Sequence, residues 1–409
     1  MTANVAGYLL QLLASRWLGV AGYSSFASLL AVQTLCAVPA LALQNVVARE
    51  VVRGASTAAA RRLAYRCAGL VAVAAVVLAP LVSAVLKVGI AGAAGALSAA
   101  PVLVLLAGEQ GILQGRSRFR DLALVLAGGM IARVTPALLV LAGGGGSATA
   151  LWTGAAGATA AVLIVRWLDD TAWAGHSREP AADPNRPGAQ SHSDRSWPGL
   201  GVVPVFRAVQ VQAALMALSS ADLIVSRIVL DENDAGRYAL GAIATKIAFW
   251  LPQAVGVVLY PRMAQPQHSA RAMRSALAVL MGIGAIAVAG AAIAAPLAPL
   301  FAGHDYAPIE GLLWLFALEG ALLSVLQGAL LSAIATDRTA PAAITWIGLA
   351  AGVAAMLTLA HSVLALIVTA TVTAAVTTLV ITALALRTAR TTEPDSTVPG
   401  FEASGTQQG

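Results

Sequence analysis

Two residues of opposite charge lie inside long apolar stretches of this sequence, where an ionised side chain is costly. Asp222 lies in the apolar arm 203–230 and Lys246 in the arm 238–260, each equally far from the short polar turn between the arms. At ~1.5 Å per residue, both side chains lie roughly 12 Å below a membrane surface, on antiparallel neighbours. Two interpretations fit this pattern. The residues form an ion pair that fixes the register of two helices, or they line a polar cavity inside a bundle.

The composition places these arms in a membrane. The 409 residues are 58% hydrophobic and 11% charged, with a mean hydropathy of +0.80, whereas soluble proteins carry about 25% charged residues. The net charge of +6 would suit a nucleic-acid partner, but most arginines flank apolar runs. This position indicates membrane anchoring and no nucleic acid. Both cysteines, Cys36 and Cys67, fall within apolar runs and are predicted to be packing residues.

Apolar runs of membrane-spanning length predict twelve transmembrane helices. They cover about 3–20, 24–47, 64–86, 95–114, 120–141, 148–168, 203–229, 238–260, 275–300, 309–333, 340–360 and 362–386. Alternate loops hold most of the arginines. The positive-inside rule therefore places those loops and both termini in the cytoplasm, in a multi-pass protein of the cytoplasmic membrane. The opposite loops hold Arg16, Lys87, Arg227 and Arg237, and are called the arginine-poor end below.

The two halves of the sequence look like copies of one unit. Pro39 precedes Arg49 by the same interval as Pro252 precedes Arg262. Proline within a helix removes a backbone hydrogen bond and can kink the helix. Because the repeat places Pro39 and Pro252 alike, these two prolines are the predicted hinges.

This repeat predicts the domain organisation. An N-lobe of six helices covers 1–168 and a C-lobe of six helices covers 201–388, related by a pseudo-two-fold axis along the membrane normal. The polar, proline-containing segment 169–200 is predicted to be a cytoplasmic linker, and 389–409 a disordered cytoplasmic tail.

The repeat also adds polar groups to the predicted interior. Gln11 and Gln33 occupy positions in the first half that correspond to Asp222 and Lys246 in the second. Polar residues at related depths in both halves favour a shared cavity over an isolated ion pair.

Two further carboxylates lie within predicted spans. Glu109 belongs to the fourth span and Glu319 to the tenth. Burial disfavours the ionised form of a carboxyl group, so either residue could carry a coupling proton. Each could instead pair with a neighbouring arginine, and the sequence leaves both alternatives open.

Several segments resemble bacterial polysaccharide exporters and lipid-linked oligosaccharide flippases of the multidrug/oligosaccharidyl-lipid/polysaccharide (MOP) superfamily. These segments are Ala42–Glu50, Gly111–Arg116 with Phe119, Asp222–Arg227, Ala235–Tyr238 and Tyr260–Arg262, together with Lys246 and Pro252. The resemblance covers most of the chain except the linker and the tail.

The resemblance implies two six-helix lobes and movement of a polyprenyl-pyrophosphate-linked glycan across the membrane by alternating access. It also implies cationic residues that hold the pyrophosphate, and Arg133, Arg207 and Lys246 are the candidates within predicted spans. Guanidinium groups suit phosphate oxygens because they donate paired hydrogen bonds. Snorkelling toward the surface is the alternative for Arg207.

Two other functions remain open at this stage. A cation-coupled drug or metabolite antiporter would share the same fold, and a polyprenyl-dependent membrane glycosyltransferase is a less favoured enzyme. The short loops offer little room for catalytic carboxylates, and no Walker motif is present, so we expect a non-enzyme without cofactor or metal. The expected partners are a lipid-linked glycan, membrane lipid, and a glycan polymerase or glycosyltransferases.

Overall fold

The structure is a computed structural model that describes residues 2–176, 210, 213–251, 269–334 and 340–391. These residues form α-helices joined by short connections, with no strand among them. The fold class predicted from the sequence, an all-α polytopic protein, is confirmed.

The helices follow one another in a simple order. They are α1 (Thr2–Cys36), α2 (Val38–Val52), α3 (Thr57–Val85), α4 (Ile90–Gly115), α5 (Phe119–Ala142), α6 (Ser147–His176), α7 (Ala221–Val229), α8 (Glu232–Trp250), α9 (Ser269–Ala294), α10 (Leu297–Ala302), α11 (Leu313–Ile334), α12 (Ala340–Leu359) and α13 (Val363–Thr391). Residues 213–218 are also helical, and a 3-10 helix, His304–Leu312, precedes α11.

The described helices coincide with the predicted spans. Eight stretches are long and apolar enough to cross a membrane, and one of them, Ala6–Val52, contains the first two predicted spans. The predicted spans 203–229 and 238–260 lie partly outside the described residues. Their described parts form 213–218, α7 and α8. The chain is therefore a multi-pass membrane protein.

Two interruptions divide the first stretch. Gly19 has φ 66° and ψ 177°, a backbone conformation that glycine adopts at little cost, and it breaks α1 near the predicted boundary between the first two spans. The second interruption follows Cys36, and Pro39 lies in the first turn of α2. The predicted hinge Pro39 is thus at a helix boundary, where proline removes no helical hydrogen bond. Pro252 lies outside the described residues.

The helix packing repeats along the chain. In the first half α2, α3 and α6 pack against α4, and α5 packs against α6. In the second half α8, α9 and α13 pack against α11, and α12 packs against α13. Each set corresponds span by span under the predicted repeat, with α4 and α11 as the central helices.

A buried apolar cluster joins the two sets of helices. Tyr23 and Phe26 of α1 belong to it together with Tyr238 of α8 and Phe316 of α11, and each of these side chains is at most 1% exposed. Tyr238 and Phe316 make an edge-to-face contact with ring centroids 5.0 Å apart. α1 therefore packs against the second half as well as against its own.

Candidate functional site

Lys246 bonds to a break in the neighbouring helical segment. The helix over 213–218 stops at Ser219 and Ser220, and α7 begins at Ala221. Lys246 Nζ donates to the Ser219 carbonyl oxygen and to Ser220 Oγ, the latter at 2.8 Å. A break at membrane depth is stabilised when a buried polar group satisfies its carbonyls. The continuous helix predicted over 203–229 is therefore wrong at these two serines.

Asp222 lies one turn further along and is 2% exposed. Its Oδ2 accepts a hydrogen bond of 2.8 Å from the Tyr238 hydroxyl, whereas its buried Oδ1 has no partner among the described residues. Asp222 and Lys246 interact electrostatically, but no direct ion pair joins them in the described part of the chain. The predicted proximity of the two residues is present, and each is held by a different neutral partner.

Glu319 completes this group, which is called the second-half cluster below and consists of Asp222, Tyr238, Lys246 and Glu319. Its side chain is 2% exposed and accepts a hydrogen bond of 3.2 Å from Thr245 Oγ1. Glu319 interacts electrostatically with both Asp222 and Lys246. Two carboxyl groups therefore share one ammonium group inside the helices of the second half.

In the first half, Arg133 of α5 reaches across to α1. Its Nη2 donates to Gln33 Oε1 at 2.5 Å, and Gln33 is 2% exposed. Among the described residues, no carboxylate pairs with Arg133. Gln11 lies half-buried on α1, and Arg207 lies outside the described residues. The structure thus brings two of the predicted cavity residues, Arg133 and Gln33, into direct contact.

Glu109 lies between two arginines. Its carboxylate accepts from Arg61 at 3.0 Å and from Arg166 at 3.1 Å. Arg166 also donates to the Tyr65 hydroxyl and lies 4.8 Å from the centre of the Tyr65 ring. The Glu109 side chain is 4% exposed and the two arginines are about one-fifth exposed, so this cluster is partly open to the surroundings.

Arg227 joins the two halves at the arginine-poor end. It lies in the last turn of α7 and is 4% exposed. Its guanidinium donates to Ser24 Oγ at 2.6 Å, to the Leu86 carbonyl at 3.2 Å and to the Lys87 carbonyl at 3.4 Å. The sequence analysis assigned Arg227 to a loop, which is wrong. A signal was available, because the residue falls inside the predicted span 203–229.

The contact between α1 and α8 continues this junction. Gly236 of α8 lies against the Val20 backbone carbonyl so closely that no Cβ could be accommodated there. Tyr306 donates to the Ser15 carbonyl at 3.3 Å, and Tyr8 donates to the Lys246 carbonyl at 3.1 Å. The halves are therefore closed along α1 and α8. This face is called the sealed seam.

A different face of the same junction is an open apolar cavity of about 610 Å³. It lies between α1–α4 of the first half and 213–228 and α12 of the second. All of its lining residues are apolar by type, and Pro39 is the only predicted site residue among them. Asp222, Lys246 and Arg133 do not line this cavity. It is called the apolar slot below.

Sequence comparison matches the chain to no family model and to no curated protein. Solved structures match over nearly the whole chain. An inward-facing multidrug resistance MATE family transporter of the MOP superfamily shares 13% identity over 96% of both chains, with a TM-score of 0.67. The lipid II flippase MurJ, in an inward closed conformation, shares 10% identity over 96% of this chain and 88% of its own, with a TM-score of 0.70.

An outward-facing MATE family transporter shares 14% identity over 96% of this chain and 93% of its own, with a lower TM-score of 0.53. These structures share the fold of this chain, so the resemblance to the MOP superfamily predicted from the sequence is confirmed at the level of fold.

Proposed function

We propose that this chain is a transporter that moves a polyprenyl-pyrophosphate-linked oligosaccharide from the inner to the outer leaflet of the cytoplasmic membrane. Residues 1–168 and 201–388 are its two lobes, 169–200 is a cytoplasmic linker and 389–409 a cytoplasmic tail. Glycosyltransferases would supply the substrate and a polymerase would consume it. We expect no enzymatic activity, in line with the transporters that share the fold.

Arg133 is the observation that carries the substrate assignment. It is a half-buried cation whose partner among the described residues is the neutral amide of Gln33. A guanidinium without a counter-charge at membrane depth is unfavourable unless an anion approaches it. Phosphate oxygens suit it because the planar group donates two parallel hydrogen bonds.

The two faces of the junction support alternating access. The sealed seam closes the arginine-poor end, and the fold superposes better on an inward-facing MATE transporter than on an outward-facing one, with TM-scores of 0.67 and 0.53. Both observations fit a transporter held open toward the arginine-rich side, which the positive-inside rule places in the cytoplasm. A lipid-linked substrate made in the cytoplasm would enter this state.

An antiporter of cationic drugs or metabolites is the second candidate, and the MATE neighbours favour it at the level of fold. Such a substrate needs an accessible carboxylate. Asp222 and Glu319 are each 2% exposed and already interact with the Lys246 ammonium. A cationic drug would have to displace that lysine, so the charges favour an anionic substrate.

For coupling, Glu319 is the better of the two glutamates. It shares one ammonium with a second carboxyl group, so one added proton would balance the charge of the second-half cluster. Glu109 already lies between two guanidinium groups, and a proton there would add to an excess of positive charge. We therefore place proton coupling in the second half.

The test replaces Arg133 by glutamine in full-length protein reconstituted in liposomes with a fluorescent polyprenyl-pyrophosphate disaccharide. Loss of the charged hydrogen bonds should slow translocation about 10- to 100-fold, and Arg133→Lys should recover part of the rate. Arg120→Gln, on an exposed position of the same helix, is the matched control. Wild-type rates in Arg133→Gln would refute the cationic path. Uptake of a lipophilic cation instead of the lipid would favour the antiporter.

A further inference from the structure

The apolar slot is built from one stripe of each of several helices. On α12, Trp346, Leu349, Val353 and Leu357 line it, at the spacing of one helical face. These residues extend over roughly 16 Å along the membrane normal, about half of the ~30 Å hydrocarbon thickness of a bilayer. The slot is thus long and narrow, and its axis follows the lipid chains.

The slot has a buried floor and an exposed rim. Its floor includes Val38, Ala100 and Val225, which are 2%, 0% and 3% exposed, and its rim includes Trp346 and Leu357, which are 39% and 43% exposed. Val38 also packs in one buried cluster with Leu215 and Phe249 of the second half. The slot therefore opens sideways from the lipid phase and ends where the two halves meet.

We propose that the apolar slot holds the isoprenoid chain of the transported lipid while its head group is in the interior. This inference rests on the proposed function. The sealed seam blocks sideways entry between α1 and α8, so the slot is the lateral opening between the halves that the described residues provide. The cavity volume of about 610 Å³ lies within the ~300–1,000 Å³ of ligand pockets.

The shape of the lining selects for an isoprenoid chain over a straight acyl chain. Apolarity alone cannot select, because lipid tails are as apolar as the slot, so packing decides. Six of the nineteen lining residues are alanines, which leave width for the methyl branches that an isoprenoid carries at regular intervals. A straight acyl chain would leave this width unfilled and lose van der Waals contact.

The slot also lies beside the charged interior. Ala221, Ile224 and Val225 line it from α7, and Asp222 of the same helix faces Tyr238 on α8. An isoprenoid chain in the slot would therefore contact the helix that carries the second-half cluster. Because both halves contribute to the walls, the slot must change shape when the halves move, which a permanently bound bilayer lipid would resist.

The test is photolabelling of the full chain in nanodiscs with two probes. One is a polyprenyl pyrophosphate with a diazirine near the end of its chain, and the other is a phosphatidylglycerol with a diazirine on its acyl chain. We expect the isoprenoid probe to label peptides of α3 and α12, and unlabelled polyprenyl phosphate to compete at least about threefold better than phosphatidylglycerol. Equal labelling by both probes, or labelling outside the slot, would overturn the assignment.

Matched tryptophan variants test the same point on each half. Val71→Trp narrows the slot from α3, whereas Val73→Trp adds the same bulk at a position 65% exposed outside it. Leu357→Trp and Leu359→Trp form the corresponding pair on α12, where Leu359 is 67% exposed. The slot variants should lose at least about threefold of the labelling, and their controls should keep it.

The outcomes separate this inference from the proposed function. Labelling of the slot without any glycan translocation by the wild type would leave the chain site standing and refute the function. Wild-type translocation with no isoprenoid labelling, and with equal rates in both members of each tryptophan pair, would refute the chain site alone.

Discussion

Glu109 and Glu319 are two buried glutamates on corresponding helices with opposite electrostatic surroundings. They lie on α4 and α11, the central helices of the two halves, and are 3% and 2% exposed. Glu109 is paired with two arginines. Glu319 shares a single lysine with Asp222 and takes a hydrogen bond from Thr245. The same packing arrangement thus carries an excess of positive charge in one half and of negative charge in the other.

This difference separates a structural role from a switchable one. Two cations hold Glu109 in its ionised form, and the pairs fix α4 against α3 and α6. The second-half cluster can gain a proton and become neutral, and it surrounds the break at Ser219 and Ser220. The first half therefore offers the fixed framework and the second half the group whose charge can change during transport.

Removal of the shared cation should have the largest effect on the comparison. In Lys246→Met the carboxyl groups of Asp222 and Glu319 lose their counter-charge, and the Ser219 carbonyl loses its donor. Loss of one partner from a buried charged group destabilises by ~3–5 kcal/mol. Thermal unfolding in detergent should show a correspondingly lower transition temperature.

A second substitution distinguishes charge balance from simple loss of packing. Asp222→Asn combined with Lys246→Met removes charges of both signs and should recover much of the lost stability. Lys87→Met, at an exposed position, serves as the control and should change stability by less than about 0.5 kcal/mol. A double variant as unstable as Lys246→Met would contradict the assignment of Lys246 as a counter-charge.

Glu109→Gln should have an intermediate effect, of about 1–3 kcal/mol, because charged hydrogen bonds to Arg61 and Arg166 are replaced by weaker ones. The arginines are about one-fifth exposed, and their partial hydration limits the loss. The same unfolding measurement checks this value. Translocation per folded molecule should stay near the wild-type rate, and a strong loss of transport without loss of stability would move the coupling role to Glu109.

Glu319→Gln should have the smallest effect on stability, within about 0.5 kcal/mol of the wild type. The amide oxygen can still accept from Thr245, and a carboxyl group that competes with Asp222 for one ammonium is removed. The expected change is functional. Translocation should no longer respond to an imposed pH gradient across the liposome membrane, and an unaltered response would argue against coupling at Glu319.

The sequence predicted the spans and most polar candidates because membrane helices need long apolar runs and make buried charge rare. It could not predict the partner of Arg133. Gln33 is a hundred positions away, and the contact depends on how α1 and α5 are rotated about their axes. The break at Ser219 and Ser220 was equally hidden, because serine is common within continuous membrane helices.

The apolar slot could not be predicted for another reason. Its alanines, valines and leucines are the residue types that also face lipid, so the sequence does not distinguish a lining residue such as Val71 from an exposed neighbour such as Val73. Only the distance between α3 and α12 makes the difference. Composition sets which residues are in the membrane, and tertiary packing sets which of them enclose a space.

The close approach of Gly236 to the Val20 carbonyl has a kinetic consequence. Main-chain atoms meet there with no side chain between them, so no rotamer change can loosen the contact gradually. Separation of α1 from α8 must release the whole contact in one step, together with the Arg227 hydrogen bonds. Single-molecule distance traces across this joint should then display long dwells at two distances with abrupt jumps, instead of a continuous drift.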